Sequence, residues 1–253
     1  MKRYVFKSVT GVATALALVI GLGGVSTADS SNRGVIVNSS VEVGDGNLHC
    51  EDSRDCSVEV IEGLLGEGAF AADELEEQDD MLVLNSNDVV IEVPSDPENP
   101  VVLETVGDSE ALEIGLPFAQ KASPVEEGDA GQLEFDNNNE TITSVLPYED
   151  GSLQMVVTML DSSAPEEFEY DLNLPEGFTS VFNDDGSVLF LDAEGELFAG
   201  VAAPWAKDNS GRSVPTRYEM RENKLVQVIS TTEEVTYPIV ADPFFGKKLF
   251  SSI

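Results

Sequence analysis

The chain has 253 residues, of which 48 are acidic and 13 basic, giving a formal charge of −35; 42% are hydrophobic, and there are one His and two Cys. Length and hydrophobic content suffice for one large core or two small ones, while the charge excludes nucleic acid or an anionic lipid surface as partner, since phosphate binding needs clustered cations. A single His, two Cys and no glycine-rich phosphate loop leave catalysis few groups, so the sequence by itself defines no specific activity.

Lys2, Arg3 and Lys7 precede an uncharged stretch from Ser8 to Val25, and Ser26, Thr27 and Ala28 lead into Asp29. A basic head, an apolar middle and small residues at Ser26 and Ala28 predict a secretory signal peptide over residues 1–28. The protein is then secreted and meets a membrane only through that segment. A retained anchor is the competing reading; Gly21, Gly23 and Gly24 weaken its helix, and no basic cluster follows. Cleavage after Ala28 removes three bases and no acids, taking the charge from −35 to −38.

Residues 29–206 hold 42 acidic residues and only Arg33, Arg54 and Lys121 as bases, whereas the chain from Lys207 onward is near neutral, with seven bases and six acids. The change near residue 206 reads either as two regions with different surroundings or as one acidic domain with a neutral edge. Residues 29–80 are expected to form an acidic, partly disordered segment with a short strand at Gly34–Asn38. Cys50 and Cys56, with five residues between them in an exported chain, are expected to form a disulfide; free thiols and a metal site are the alternatives, and His49 alone leaves a tetrahedral set incomplete. The acidic run from Ala72 to Asp80 reads as linker or marginal helix and sets a boundary near residue 80.

Residues 81–243 are predicted to be β-rich, open to division into 81–160 and 161–243. Met81–Leu84 and Val89–Val93 flank a turn-forming Asn85-Ser86-Asn87-Asp88. Thr141–Leu146 and Ser152–Leu160 flank Pro147 to Gly151, where Asp150-Gly151 supplies the positive φ of a tight hairpin. Phe168, Tyr170, Leu172 and Leu174 alternate with polar residues, a period of two with one buried face. Turns at Pro175-Glu176-Gly177, Asp184-Asp185-Gly186 and Ala193-Glu194-Gly195 punctuate strands at Ser187–Leu191 and Glu196–Ala202. A last hairpin pairs Arg217–Met220 with Leu225–Ile229 across Arg221 to Lys224, and a final strand runs from Val235 to Val240. The expected fold is mainly β, an antiparallel sandwich or stacked hairpins.

The chemistry-bearing candidates are sparse. Gly107-Asp108-Ser109 resembles the nucleophile block of a class of serine esterases, but the only His, His49, lies upstream and no α/β pattern surrounds it, so a plain loop is the better account. Asp184-Asp185-Gly186, the stretch Asp192 to Glu196, and Asp208-Asn209-Ser210-Gly211 have the oxygen-rich, glycine-turned look of calcium loops. Asp184, Asp185, Asp192 and Glu194 are therefore the candidate calcium ligands. Each of these stretches also sits where a hairpin needs a turn, and structural turn is the preferred reading, with no cofactor. Asn38-Ser39-Ser40 and Asn139-Glu140-Thr141 are formal glycosylation sequons. Trp205, in a loop to Val214 bracketed by Pro204 and Pro215, is expected to plug a core rather than serve as a stacking platform.

The blocks Pro165 to Gly177, Asp185-Gly186, Ala203 to Asp208, Val214 to Tyr218 and Tyr237-Pro238-Ile239-Val240-Ala241-Asp242-Pro243, taken in that order, resemble a family of exported actinobacterial proteins of unassigned activity. A looser similarity extends to β modules ending in a Tyr-Pro-x-x-x-Asp-Pro block in secreted YD-repeat and polymorphic-toxin proteins. The resemblance covers about residues 115–243 and implies a carrier region preceding a small bacteriocin-like or toxin-like C-terminal domain. Here Phe244–Ile253 stand in that place, either tucked back onto the sheet or as a remnant or the start of such an extension. No catalytic residue is implied. The preferred expectation is a non-enzymatic β scaffold with a cell-surface or protein partner. An acidic envelope protein binding cations or other surface components, and a hydrolase using an unidentified carboxylate pair, are the rivals.

Overall fold

A computed structural model describes residues 75–86, 88–107, 110–127 and 132–247. Every regular element among them is a β-strand, and every pairing is antiparallel. The predicted signal peptide, the strand at Gly34–Asn38, His49, Cys50, Cys56, Asp108 and Ser109 lie outside the described residues, as do residues 248–253.

The first sheet is a meander of β1 (Glu76–Gln78), β2 (Met81–Asn85), β3 (Val89–Pro94), β4 (Val101–Thr105) and β5 (Leu112–Ile114), hydrogen-bonded in chain order. Strand alternation buries Val89, Ile91, Val93, Val101 and Leu103, and turns Glu92 and Glu104 outward.

A second sheet orders β10 (Glu167–Asp171), β16 (Lys224–Ile229) and β15 (Thr216–Arg221) with β16 in the middle. The alternation seen in the sequence buries Phe168 and Tyr170, while Glu167 and Glu169 on the opposite face pair with Arg221 and Lys224 at 2.6 and 2.9 Å. The β15–β16 hairpin is tighter than the sequence suggests. Arg221 and Lys224 are themselves paired, leaving a two-residue turn in which Glu222 takes φ +58°.

The third and largest sheet carries β6 (Glu126–Glu127), β7 (Leu133–Asp136), β8 (Thr141–Pro147) and β9 (Leu153–Met159) on one side, and β13 (Leu197–Val201), β12 (Val188–Leu191) and β11 (Thr179–Phe182) on the other. Between them, β17 (Ile239–Asp242) and β18 (Phe244–Gly246) lie end to end along β9 in one register. The break between them is Pro243, which has no N–H to give; its carbonyl still accepts from Met155 N at 3.0 Å. β14 (Trp205–Asp208) pairs with β17 and β13 pairs with β18. Four residue steps from Val201 to Trp205 face three from Asp242 to Phe245, so the chain bulges by one residue at Ala202 to Pro204. β8 and β9 are buried along their whole length on both faces, as expected at the centre of a covered sheet. One hydrophobic cluster draws side chains from all three sheets, and the β9 pairings join residues on either side of residue 160.

Three stretches differ from the sequence reading. Glu76–Gln78, inside the run read as linker or marginal helix, is a strand because Asp79 and Asp80 take positive φ and turn the chain back so that it pairs with Met81–Val83. Trp205–Asp208, expected as loop, is a strand because Pro204 stands just outside it and leaves the following N–H groups free to pair with β17. The last strand begins at Ile239 rather than Val235, because Thr236 N bonds Asp208 Oδ2, Thr236 O accepts from Asn209 N, and Pro238 has no donor.

Candidate functional site

Four hairpin loops share one construction. Tyr148, Asn183, Asp192 and Asp208 each donate a backbone N–H to the carbonyl four residues on, and accept from the N–H of the glycine three residues on. Those glycines, Gly151, Gly186, Gly195 and Gly211, have φ between +73° and +88°. This is the three-residue loop closed by a left-handed residue, and it accounts for the Asp-rich, glycine-containing signals in the sequence.

Inside the loops the carboxylates already have donors. Asp185 Oδ1 accepts from Ser187 N and Oγ at 2.9 and 2.7 Å, and these two bonds hold its carboxyl below the usual range. Asp192 Oδ1 accepts from Glu194 N and Glu196 N at 3.0 and 2.8 Å. The candidate calcium ligands divide between two loops at opposite ends of β12: Asp184 and Asp185 enter the strand, and Asp192 and Glu194 leave it. Four residues of strand, at about 3.3 Å each, hold the two pairs too far apart to coordinate one ion. Among the described residues, no group of three or more His, Cys, Asp or Glu is disposed to hold a metal.

The loop from Asp208 shows what fills such a ring of oxygens instead. Asp208 is 5% exposed, and its Oδ1 accepts from Ser210 N and Arg212 N. Its Oδ2 accepts from Thr236 N at 3.1 Å and from two nitrogens of the Arg212 guanidinium at 2.7 and 2.9 Å. Burial works against the charge, but Arg212 and the backbone donors prevail and the carboxyl stays below its ordinary range. Arg212 also donates to Glu234 O, tying the loop to the segment that leads into β17.

The most unusual polar group is Asp242, at the end of β17 and 3% exposed. It stands opposite Trp205 across the β14–β17 pair. Its Oδ2 accepts from Gln154 Nε2 at 2.9 Å, and Gln154 Oε1 in turn accepts from the Tyr148 hydroxyl at 2.8 Å. Oδ1 has no hydrogen-bond partner in the protein, and neither has the buried Tyr170 hydroxyl. The Tyr218 hydroxyl donates to the Asp242 main-chain carbonyl at 3.0 Å. Burial pushes the Asp242 carboxyl up to about 7, and donors from Gln154 and Trp205 offset only part of that effect. Tyr148, Tyr170 and Tyr218 are all raised, first by burial and then by Asp242.

Asp242 therefore has the proton affinity of a general acid near neutrality without the exposure to meet a substrate. Trp205, expected as a core plug, is half-buried; its N–H groups favour the charged Asp242, and its carbonyl accepts from Gln227 Nε2 of the second sheet at 3.3 Å. The sequence reading treated Asp242 as part of a terminal block and passed over Gln154 and Tyr148. The available signal was one acid inside the apolar run Ile239-Val240-Ala241-Asp242-Pro243-Phe244-Phe245.

No family model, curated protein or solved structure matches this chain.

Proposed function

We propose that this chain is an exported β scaffold without turnover of its own, acting by carrying or presenting other groups. One observation carries the reading: the polar groups of Trp205, Tyr218 and Asp242, which stand out in the sequence blocks, are directed at one another and at Gln154 inside the sheets. They join β9, β14, β15 and β17 and leave no reactive group of that set on the surface. Export rests on the basic head and apolar run of residues 1–28, and the scarcity of bases between residues 29 and 206 suits a secreted, salt-tolerant surface.

The experiment is expression of the full chain with a folded reporter after Ile253, followed by intact mass of the secreted product and assays against ester, glycoside and peptide substrates. The expected product begins at Asp29, carries an active reporter and shows no turnover of its own. Retention of Met1 in a membrane-bound product would remove the export half of the reading. Turnover abolished by one carboxylate substitution in a folded variant would remove the other half.

A further inference from the structure

A sheet edge offers unpaired backbone N–H and C=O groups, and proteins protect such edges with charge, proline or a bulge. The edges among the described residues follow this rule with one exception. β1 carries Glu76 and Glu77, β5 Glu113, β6 Glu126 and Glu127, β10 Glu167, Glu169 and Asp171, β14 Lys207 and Asp208, and β15 Arg217, Glu219 and Arg221. β11, the edge at the other end of the largest sheet, reads Thr-Ser-Val-Phe and has no charged residue.

Its side chains are also unprotected. Val181 is 42% and Phe182 45% exposed, two of the three large apolar side chains that stand exposed among the described residues. Val181 pairs with Leu189 and Thr179 with Leu191, so Val181 and these two half-buried leucines share one face of β11 and β12, and the half-buried Leu197 stands opposite Leu191 beyond a register shift between β12 and β13. None of the three leucines belongs to the central hydrophobic cluster or packs against it. Phe182 projects from the opposite face, so a strand added at this edge would find apolar contact on both sides.

The ends of this edge are acidic. Glu176 precedes β11, Asp184 and Asp185 follow it, and Glu194 and Glu196 are exposed in the next loop. No Lys or Arg occurs between Lys121 and Lys207. A second copy would bring the same carboxylates and the same charge of −35 against them, which opposes pairing of β11 with itself.

We infer that β11 is a docking edge for an extended polypeptide segment in which apolar residues alternate with lysine or arginine, bound by strand addition. Main-chain hydrogen bonds would supply the pairing, Val181, Leu189 and Leu191 the apolar contact, and the flanking carboxylates the preference for a basic segment. This inference is independent of export and of the absence of turnover.

The test uses the purified chain and a short fluorescent peptide alternating valine with lysine, followed by anisotropy. Saturable binding is expected, weakening as salt rises. At least tenfold weaker binding is expected for a peptide with glutamate in place of lysine, and for a basic peptide N-methylated at alternate amides. Val181→Asp separates contact from charge. It adds a carboxylate, which attraction alone would reward, yet removes the apolar contact, so at least a tenfold loss is expected with an unchanged melting temperature. Equal binding of the N-methylated peptide, tighter binding by Val181→Asp, or no saturable binding would overturn the inference. So would a dimer in light scattering that dissociates on Val181→Asp, since a second copy would then occupy the edge.

Discussion

Gln154 Nε2 donates to Asp242 Oδ2 at 2.9 Å, joining residues 88 apart in sequence and linking β9 to β17 through side chains as well as backbone. Because Gln154 also accepts from Tyr148, and Asp242 accepts from Tyr218 through its carbonyl, the loop after β8 and strands β9, β15 and β17 converge on one buried carboxyl. Burial outweighs the donors from Gln154 and Trp205, so the cluster tolerates the protonated acid better than the anion.

Stability should therefore fall as pH rises through neutrality. The folded Asp242 titrates near 7 against an ordinary value of 3.8, so between those values the native state holds a proton that the unfolded chain has released. Unfolding free energy declines across that window and levels off above it, by on the order of 4 kcal/mol for a shift of about three pH units. Asp242→Asn keeps the shape and an acceptor for Gln154 and removes the titration. Denaturant unfolding from pH 4.5 to 8.5 should show the decline in the wild type and a much flatter profile in the variant. Equal slopes in the two would place the titrating group elsewhere.

The strands with clean alternation or a glycine turn beside them are legible in sequence: β2, β3, β8, β9, β12, β13, β15 and β16 lie within a residue or two of the expected positions, while β10 ends at Asp171, three residues before the Leu174 that the alternation includes. Local patterns specify those elements. The limits of β14 and β17 depend on residues distant in sequence: Asp208 captures Thr236 N, and β17 and β18, broken at Pro243, keep one register along β9. The Asp242 cluster was hidden for the same reason. Its members come from four separate stretches, and in sequence each looks like an ordinary strand or loop residue.

Gly151 closes the β8–β9 hairpin at φ +82°, and a Cβ there would meet Val89 Cβ at 2.6 Å. Gly151→Ala thus combines an unfavourable backbone with a steric clash against the first sheet, and should cost about 2–4 kcal/mol. Because part of that cost is the contact with Val89 Cβ, which only glycine lacks, the double variant with Val89→Gly should be more stable than the sum of the two single effects predicts, when chemical denaturation is measured for all four proteins. Strict additivity would show that the hairpin tip and β3 are not in contact in solution.

Arg212→Ala should cost about 1–2 kcal/mol at pH 7, since Asp208 would remain buried without its cation, although Arg212 itself is half-exposed and partly screened. The pH dependence has the sign opposite to that of Asp242. Asp208 is held below its ordinary range, so its contribution is present above the unfolded value and is lost as pH falls through the folded one. The difference between wild type and variant should accordingly shrink toward pH 2 in thermal melts. A constant difference across that range would mean that Arg212 acts through its contact with Glu234 O rather than through Asp208.

The remaining acids act mainly through their number. Between residues 29 and 206 the sequence holds 42 carboxylates against three bases, and so large an excess of like charge disfavours a compact state in a way that salt screens. Sodium chloride should raise the melting temperature progressively through the molar range. Calcium separates this general effect from a specific site. Asp184 and Asp185 lie at one end of β12 and Asp192 and Glu194 at the other, and Asp185 and Asp192 already accept backbone donors within their own loops. Calcium chloride at matched ionic strength should therefore give a graded rise without saturation at micromolar to low millimolar concentration. Asp185→Ser and Asp192→Ser should leave the calcium response unchanged while each lowers stability by about 1 kcal/mol through the lost loop bonds. A saturable calcium response abolished by either substitution would instead establish a cation site at that loop.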